Sequence, residues 1–508
     1  NFFVPQKKSG EFRLVPKFIV FGLIGSFLVN LAGNLHTIYL FTKGYPNEHP
    51  VPFWQILSSF NPTKYWYPNA TRFIPFTIHE FPSYSYVVAD LHGHVFDIPV
   101  VLLTLLLLFQ FYTTRRHHAR QLFATIIGFG FLTAVHYMTN AFDGPIYLLL
   151  TLTLLFSRFG RQKAVFGKAL LLLGSFIIFS WPFSSHFSPF VSGIGLNCAP
   201  SLLVKLHKIG PFLFENDKCQ TSSLWMLGVL WGFFLLSFIL YNVVLSWRAK
   251  ELSSHEWGRR HYYYRFIYTL FLFGIFLLIV PEFFYIKDIY PAHFRANTMF
   301  KLGYQTFIMM ALASTLTFFE IKSLKKRGQS LLLTGIFLPF FFLVSVYPLF
   351  SVPSYYGLLK KPPELRGDLW LKSTYPADYE IIKYLNTHIS GQPVILEAQG
   401  DSYTDYERIS AFTGLPTVAG WWVHEWLWRG SPNYVGERVA DVSTIYESTD
   451  RLKTRSLLAK YRIRYIIISV LERQKYTQLN IGKLTALGPT IFTTEDGTGM
   501  IVKTEVVF

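Results

Sequence analysis

Apolar runs close to twenty residues long recur between residues 17 and 350, and they leave this chain few ways to fold. They fall at roughly 17–41, 95–112, 121–138, 141–157, 164–182, 223–246, 264–281, 301–320 and 330–350. A helix rises about 1.5 Å per residue, so such a run spans a hydrocarbon core about 30 Å thick. In lipid a backbone must satisfy its own hydrogen bonds, and an isolated run does so as a helix. The expected fold is a polytopic α-helical membrane protein of about nine spans. With 51% hydrophobic and 15% charged residues, the composition agrees.

The net charge of +17 would suit a nucleic-acid partner in a soluble protein. Here the basic residues crowd into short loops between apolar runs, where they set orientation. One set holds Lys7, Lys8, Arg13 and Lys17, then Arg115, Arg116 and Arg120, then Arg158, Arg161, Lys163 and Lys168. It continues through Arg248, Lys250, Arg259, Arg260 and Arg265 to Lys322, Lys325, Lys326 and Arg327. The alternate loops are longer and poorer in Lys and Arg. The first set is therefore expected in the cytoplasm, with the alternate loops and the tail outside a plasma membrane. Tyr262–Tyr264 then reads as an aromatic belt at the inner interface. Two cysteines, Cys198 and Cys219, fall in an outer loop; a disulfide and two separate thiols fit equally well, and a cysteine-rich metal site is excluded. The chain opens at Asn1 without a signal-peptide pattern, which points to a longer protein with further N-terminal sequence.

This orientation puts every chemically suggestive stretch on one face. The segment His79–Pro99, HEFPSYSYVVADLHGHVFDIP, holds Glu80, Asp90, His92, His94 and Asp97 at the mouth of a span. Ionisable groups there are costly unless they meet water, a partner or a metal. Asp90, His92 and His94, each two positions apart, can converge on a divalent cation such as Mg, Mn or Zn if the segment is extended or looped. Alternatively Asp90 is a base and the histidines bind a phosphate, or the segment is a hydrogen-bonded helix entrance. Asp143, in the turn NAFDGP, either caps the next helix or joins the site. Arg295, Asn297 and Lys301 lie where a helix begins and its free N–H groups favour an anion. They read as a phosphate site, or as cations snorkelling at an interface. No nucleotide cofactor is expected, since no Gly-rich phosphate loop occurs.

From about Pro353 the composition changes, giving an expected boundary between a transmembrane domain, 1–352, and a soluble α/β domain, 353–508. The outer loops 42–94, 183–222 and 282–300 belong to the first. In the tail, 377–386 reads as a helix, 393–397 and 465–470 as strands, 457–460 as helix and 499–507 as a last strand. The segment GWWVHEWLWRG offers Trp422, His424, Glu425, Trp426 and Arg429 for a sugar or acceptor, or for docking at a membrane surface. His424-Glu425 is followed by Trp428 where a zinc protease needs a second His.

Taken together, HEFPSYSYVVADLHGHVFDIP, TNAFDGP, RANTMFKLGYQTF, ILEAQGDSY, RISAFTGLPTVAGW, HEWLWRG and RVADV resemble, in this order, the prokaryotic YYY membrane protein family (Chlor_Arch_YYY domain). The resemblance runs from about residue 50 to 480. Tyr262–Tyr264 is not the triplet that names that family. The family in turn resembles the GT-C glycosyltransferases, which take sugars from polyprenyl-phosphate carriers on the outer face. Asp90-x-His92 is similar to the acidic element of some of them. The resemblance implies a GT-C-like fold and a polyprenyl-phosphate-linked sugar passed to a glycan, lipid or protein acceptor. Asp90 or Asp143 would be the base. Arg295, Asn297, Lys301 and His94 would hold the carrier phosphate, with a metal on Asp90 and His92. A metal-dependent lipid-phosphate hydrolase, and a transporter or scaffold for envelope components, are the competing functions.

Overall fold

The computed structural model describes residues 16–114, 118–160, 162–187, 191–288, 292–360, 362, 364–429 and 431–505. Of the basic loop residues, Lys7, Lys8, Arg13, Arg115, Arg116 and Arg161 lie outside the described residues. The chain divides into two compact units, Asn1–Lys361 and Pro362–Phe508.

The first unit is helical: α1 (Pro16–Asn30), α2 (Ile98–Thr113), α3 (Ala119–Thr139), α4 (Asp143–Phe159), α5 (Lys163–Ser184), α6 (Leu224–Glu251), α7 (Ser254–Phe283), α8 (Ala296–Lys322) and α9 (Arg327–Ser345). Each expected span has its helix, with two corrections. The first run is broken. After Asn30 the chain bends by 79° before resuming at Leu35–Phe41. Gly33 lies so close to Tyr347 that a Cβ would stand 2.6 Å from its ring. Asn34 then starts the new turn: its side chain accepts the His36 N–H and donates to the Ala70 carbonyl. The second correction is length. Helices α2 and α4 have 16 and 17 residues, about 25 Å at the usual rise, short of a full crossing. By length and composition, six helices among the described residues can cross a bilayer, or seven counting the bent pair.

Helix α8 is the axis of this bundle. Its most apolar stretch is 78% buried, against 28–50% for the other full-length helices. Small residues allow this, because packing in lipid favours close backbone approach. Gly25 of α1 sits against Thr315, and Gly274 of α7 against Met310. At the other end of α8, Glu320 pairs with Arg248 at 3.0 Å inside the protein. Tyr263 and Tyr264 are also buried, and the Tyr264 carbonyl accepts from Tyr241. These two rings pack inward, which corrects the expected interfacial belt.

The loop between α5 and α6 forms a small sheet. Its order is Lys208–Ile209, Phe212–Leu213, Gly193–Leu196, Phe284–Lys287. Cys198 and Cys219 form a disulfide across it, which resolves the alternatives left by spacing. Pro353 lies inside a helix, Tyr347–Tyr355. Tyr355 packs on Tyr67 and Tyr356 donates to the Val87 carbonyl. These contacts tie 353–356 to the first unit, so the division falls after Lys361 and not near Pro353.

The second unit is α/β. Its sheet runs β1 (Val394–Leu396), β2 (Ile463–Ile468), β4 (Met500–Lys503), β3 (Thr490–Thr493); only β1 and β2 are parallel. Helices α10 (Pro376–His388), α11 (Trp422–Arg429), α12 (Pro432–Glu447) and α13 (Arg451–Lys460) accompany it. The expected tail elements are all present. The run Ile466–Ile468 is fully buried, as an apolar strand covered on both faces must be.

Candidate functional site

Asp90 is positioned by two tight local structures. The short helix Pro82–Val87 is followed by Ala89, whose φ of 53° is uncommon for a residue with a Cβ. That turn returns the Asp90 N–H to the Ser85 carbonyl at 2.9 Å. Beyond it, Gly93 presses on the end of α3, where a Cβ would overlap the Thr139 carbonyl. The segment thus holds His92 and His94 on either side of one carboxylate: His92 Nδ1 contacts Oδ1, and His94 Nε2 lies 3.3 Å from Oδ2. Burial pushes the Asp90 carboxyl up. The hydrogen bonds from His92 and His94 outweigh this and hold it below its ordinary range.

His94 is 1% exposed and wedged edge-on between Phe300 and Tyr304 of α8. Burial takes its pKa down to about 4, so the ring is neutral. Its Nδ1 meets the Lys301 amino group at 2.9 Å. An ammonium only donates, so Nδ1 accepts and the ring proton sits on Nε2, facing Asp90. Lys301 also feels Asp143, Glu80 and Asp90. Glu80 is held by Arg72 at 2.7 Å. Neighbouring His79 is buried and, among the described residues, neither ring nitrogen has a hydrogen-bond partner. Burial, with Arg295 and Arg72 adding to it, lowers its pKa to about 3.

Behind this group lies a second, fully buried one. His136 Nδ1 is 2.7 Å from Asp97 Oδ2, and its Nε2 is 2.9 Å from the Thr104 hydroxyl. Tyr147 stacks on His136 and donates to Gln305. Asp143 begins α4 beside Asp97 and Asn140. It is 0% exposed, so it caps no solvent-facing turn. His136 was not among the candidates read from the sequence, although an ionisable residue on an otherwise apolar helix is a signal in itself.

The remaining expected residues are elsewhere. Arg295 is 1% exposed and bound to Glu282 at 2.9 Å and Ser222 at 3.2 Å. A buried guanidinium needs a counter-charge, and Glu282 supplies it, so Arg295 is not presented to a phosphate. Asn297 sits half-buried in the first turn of α8. In the second unit, Glu425 and Arg429 pair one turn apart on α11 and Trp422 lies against Gly436. Trp426 is half-buried. His424 bonds Ser402 at 2.7 Å and packs with Tyr403 and Trp421. Tyr403 is 77% exposed and was missed, because it is 18 positions from Trp421 in the sequence.

Glu80, Asp90 and His94 each offer one ligand atom, all within 4.8 Å of one another. Two carboxylates and an imidazole suit Mg, Mn or Zn, and His94 would join them with the ion displacing its Nε2 proton. The set keeps Asp90 and His94 of the expected Asp90, His92 and His94 group and has Glu80 in the place of His92, whose side chain is 56% exposed. A divalent ion here would supply Lewis acidity to a phosphate oxygen.

The fold and this centre define a multi-pass helical membrane protein with a polar site at one end of its bundle. Residues 7–264 and 243–310 match the family described as uncharacterized membrane protein (DUF2298), and the chain belongs to that family. No curated protein matches it. Among solved structures it is similar to the oligosaccharyltransferase AglB from Archaeoglobus fulgidus, determined with an inhibitory peptide and a dolichol-phosphate. The identity is 13% over 97% of this chain and 74% of that chain, with a TM-score of 0.34.

Proposed function

We propose that this protein is a GT-C-type membrane glycosyltransferase that moves a sugar from a polyprenyl-phosphate carrier to an envelope acceptor on the outer face. The observation that carries the reading is the meeting of Glu80, Asp90 and His94 with Lys301. They come from a loop, a helix entrance and the start of α8, at the end of the bundle from which a lipid headgroup would approach. The Cys198–Cys219 disulfide lies at the same end. Disulfides persist in oxidising compartments, which supports an outward orientation.

In this reading Asp90 is the general base for the acceptor hydroxyl. It is more accessible than Asp143, and His92 and His94 orient it from either side. The Lys301 ammonium takes the carrier phosphate as the leaving group. Glu80, Asp90 and His94 are the residues that would hold a divalent ion. In the second unit, the Tyr403–Trp421–His424 rings next to α11 would bind a sugar or acceptor by stacking.

The test is transfer from a radiolabelled polyprenyl-phosphate sugar by the full chain in nanodiscs. Asp90→Asn should lower transfer by about 10²-fold or more. Release of sugar or phosphate to water without an acceptor requirement would replace the transferase with a hydrolase. Turnover of neither kind, with vectorial movement of the lipid, would replace both with a transporter.

A further inference from the structure

In the second unit, the loop 399–407 that follows β1 holds an aromatic ring out into water. Strands β1 and β2 run parallel, and ligands of α/β sheets favour the loops beyond the carboxyl ends of such strands. The base of this loop is fixed at several points. The Gly400 N–H donates to Glu407 Oε1 at 2.7 Å, and the Gly400 carbonyl accepts the Trp422 N–H at 3.2 Å. Lys475 donates to the Gln399 carbonyl, and Trp421 Nε1 to the Tyr406 carbonyl at 3.3 Å. Tyr403 and Glu407 have φ of 64° and 56°. Residues with a Cβ keep that conformation only where their surroundings impose it.

Tyr403 is 77% exposed. Its ring centre lies 5.8 Å from that of Trp421, inclined at 47°, and 5.2 Å from that of His424. The Trp421 N–H is committed to the loop, so the indole contributes its face. Ser402 holds the His424 ring at 2.7 Å. The inclined rings make a corner rather than a flat strip. A pyranose suits such a corner, since its C–H face stacks on aromatic rings while its hydroxyls meet polar neighbours.

Charge decides between possible occupants. Asp401 and Asp405, each two positions from Tyr403, are exposed. Nearby cations are engaged by protein groups: Arg429 by Glu425, Lys475 by Gln399 and Arg408 by Asp378. An anionic bilayer surface attracts outward-facing Lys and Arg, and this face turns carboxylates outward instead. Carboxylates accept hydrogen bonds from sugar hydroxyls and repel anionic sugars.

We propose that Tyr403, Trp421 and His424 form a binding subsite for a neutral glycan, bordered by Asp401 and Asp405. That this glycan is the acceptor rests on the transferase reading; its binding does not.

The experiment is saturation-transfer NMR on the full chain in nanodiscs, with neutral trisaccharides of glucose, mannose and N-acetylglucosamine as probes. Transfer to the ring C–H protons of at least one probe is expected. Tyr403→Ala should weaken binding of that probe about 5-fold or more, while Tyr403→Phe, which keeps the ring, should bind nearly as the wild type does. Tyr403 is exposed, so thermal unfolding should be unchanged in both variants. Absence of transfer from all three probes, or equal binding by Tyr403→Ala, would overturn the subsite. Brominated lipids in the nanodisc that quench the fluorescence removed by Trp421→Phe would also overturn it, making this face a membrane contact. Glycan binding without any sugar transfer would separate the two readings: the subsite would stand and the transferase would fall.

Discussion

The amino group of Lys301 rests 2.9 Å from Nδ1 of His94, although 207 positions separate them. This contact joins the loop histidines to the central helix. Lys301→Met would leave Glu80, Asp90 and Asp143 without their shared cation. Breaking a buried charge group by removing one partner costs about 3–5 kcal/mol, so thermal unfolding should fall sharply. Lys301→Arg, which keeps the charge, should recover most of the loss.

Gly93→Ala should damage the centre without touching a titratable group. The added methyl would meet the Thr139 carbonyl, forcing His92 and His94 away from the end of α3. Overpacking of this kind costs about 1–3 kcal/mol. Any transfer activity should drop far more than stability does, and comparing the two measurements checks it.

Mn²⁺ offers a direct probe of the Glu80–Asp90–His94 set. Electron paramagnetic resonance should show Mn²⁺ bound by the full chain, with affinity reduced at least about 10-fold in Asp90→Asn. His92→Ala should matter less, since its ring lies outside the set. Equal loss in the two variants would return the ion to the Asp90–His92 pair.

The second unit should lose stability as pH rises. Burial raises Glu397 and Glu472 to about 7, and Glu407 to about 8, from 4.5 in the unfolded chain. Below about pH 4.5 the three are neutral in both states and their contribution is complete. Between that pH and about 8 the folded state keeps protons that the unfolded state has released, so stability declines. Hydrogen exchange at β2, corrected for intrinsic rate, should quicken accordingly, and Glu407→Gln should flatten the trend.

The ion pair of Arg248 with Glu320 provides a check far from the site. Arg248→Ala should destabilise the protein by about 3–5 kcal/mol, and adding Glu320→Ala should restore part of it. A double variant worse than the sum of the singles would contradict the pairing.

Much of this was legible in the sequence where the relevant residues are neighbours. Asp90, His92 and His94 stand two apart, and a helix entrance has few ways to arrange them. The apolar runs gave the helices, because length and hydropathy act locally. What could not be read was pairing across the chain. The 13 positions between Glu282 and Arg295 say nothing of their contact, so Arg295 looked free for a phosphate. The bend at Gly33 depends on Tyr347, more than three hundred positions away. His136 was hidden by its own helix, whose apolar character dominates a reading by periodicity.

The turn joining α3 to α4 is only Asn140–Phe142, and His136 and Asp143 flank it. Each residue advances a helix by about 100°. One residue inserted or deleted there would rotate Asp143 relative to His136 while leaving every side chain chemically unchanged. At this hairpin, chain length is as much a specification as amino-acid identity. Homologues that preserve His136 and Asp143 but vary the turn by one residue would be expected to have lost their alignment.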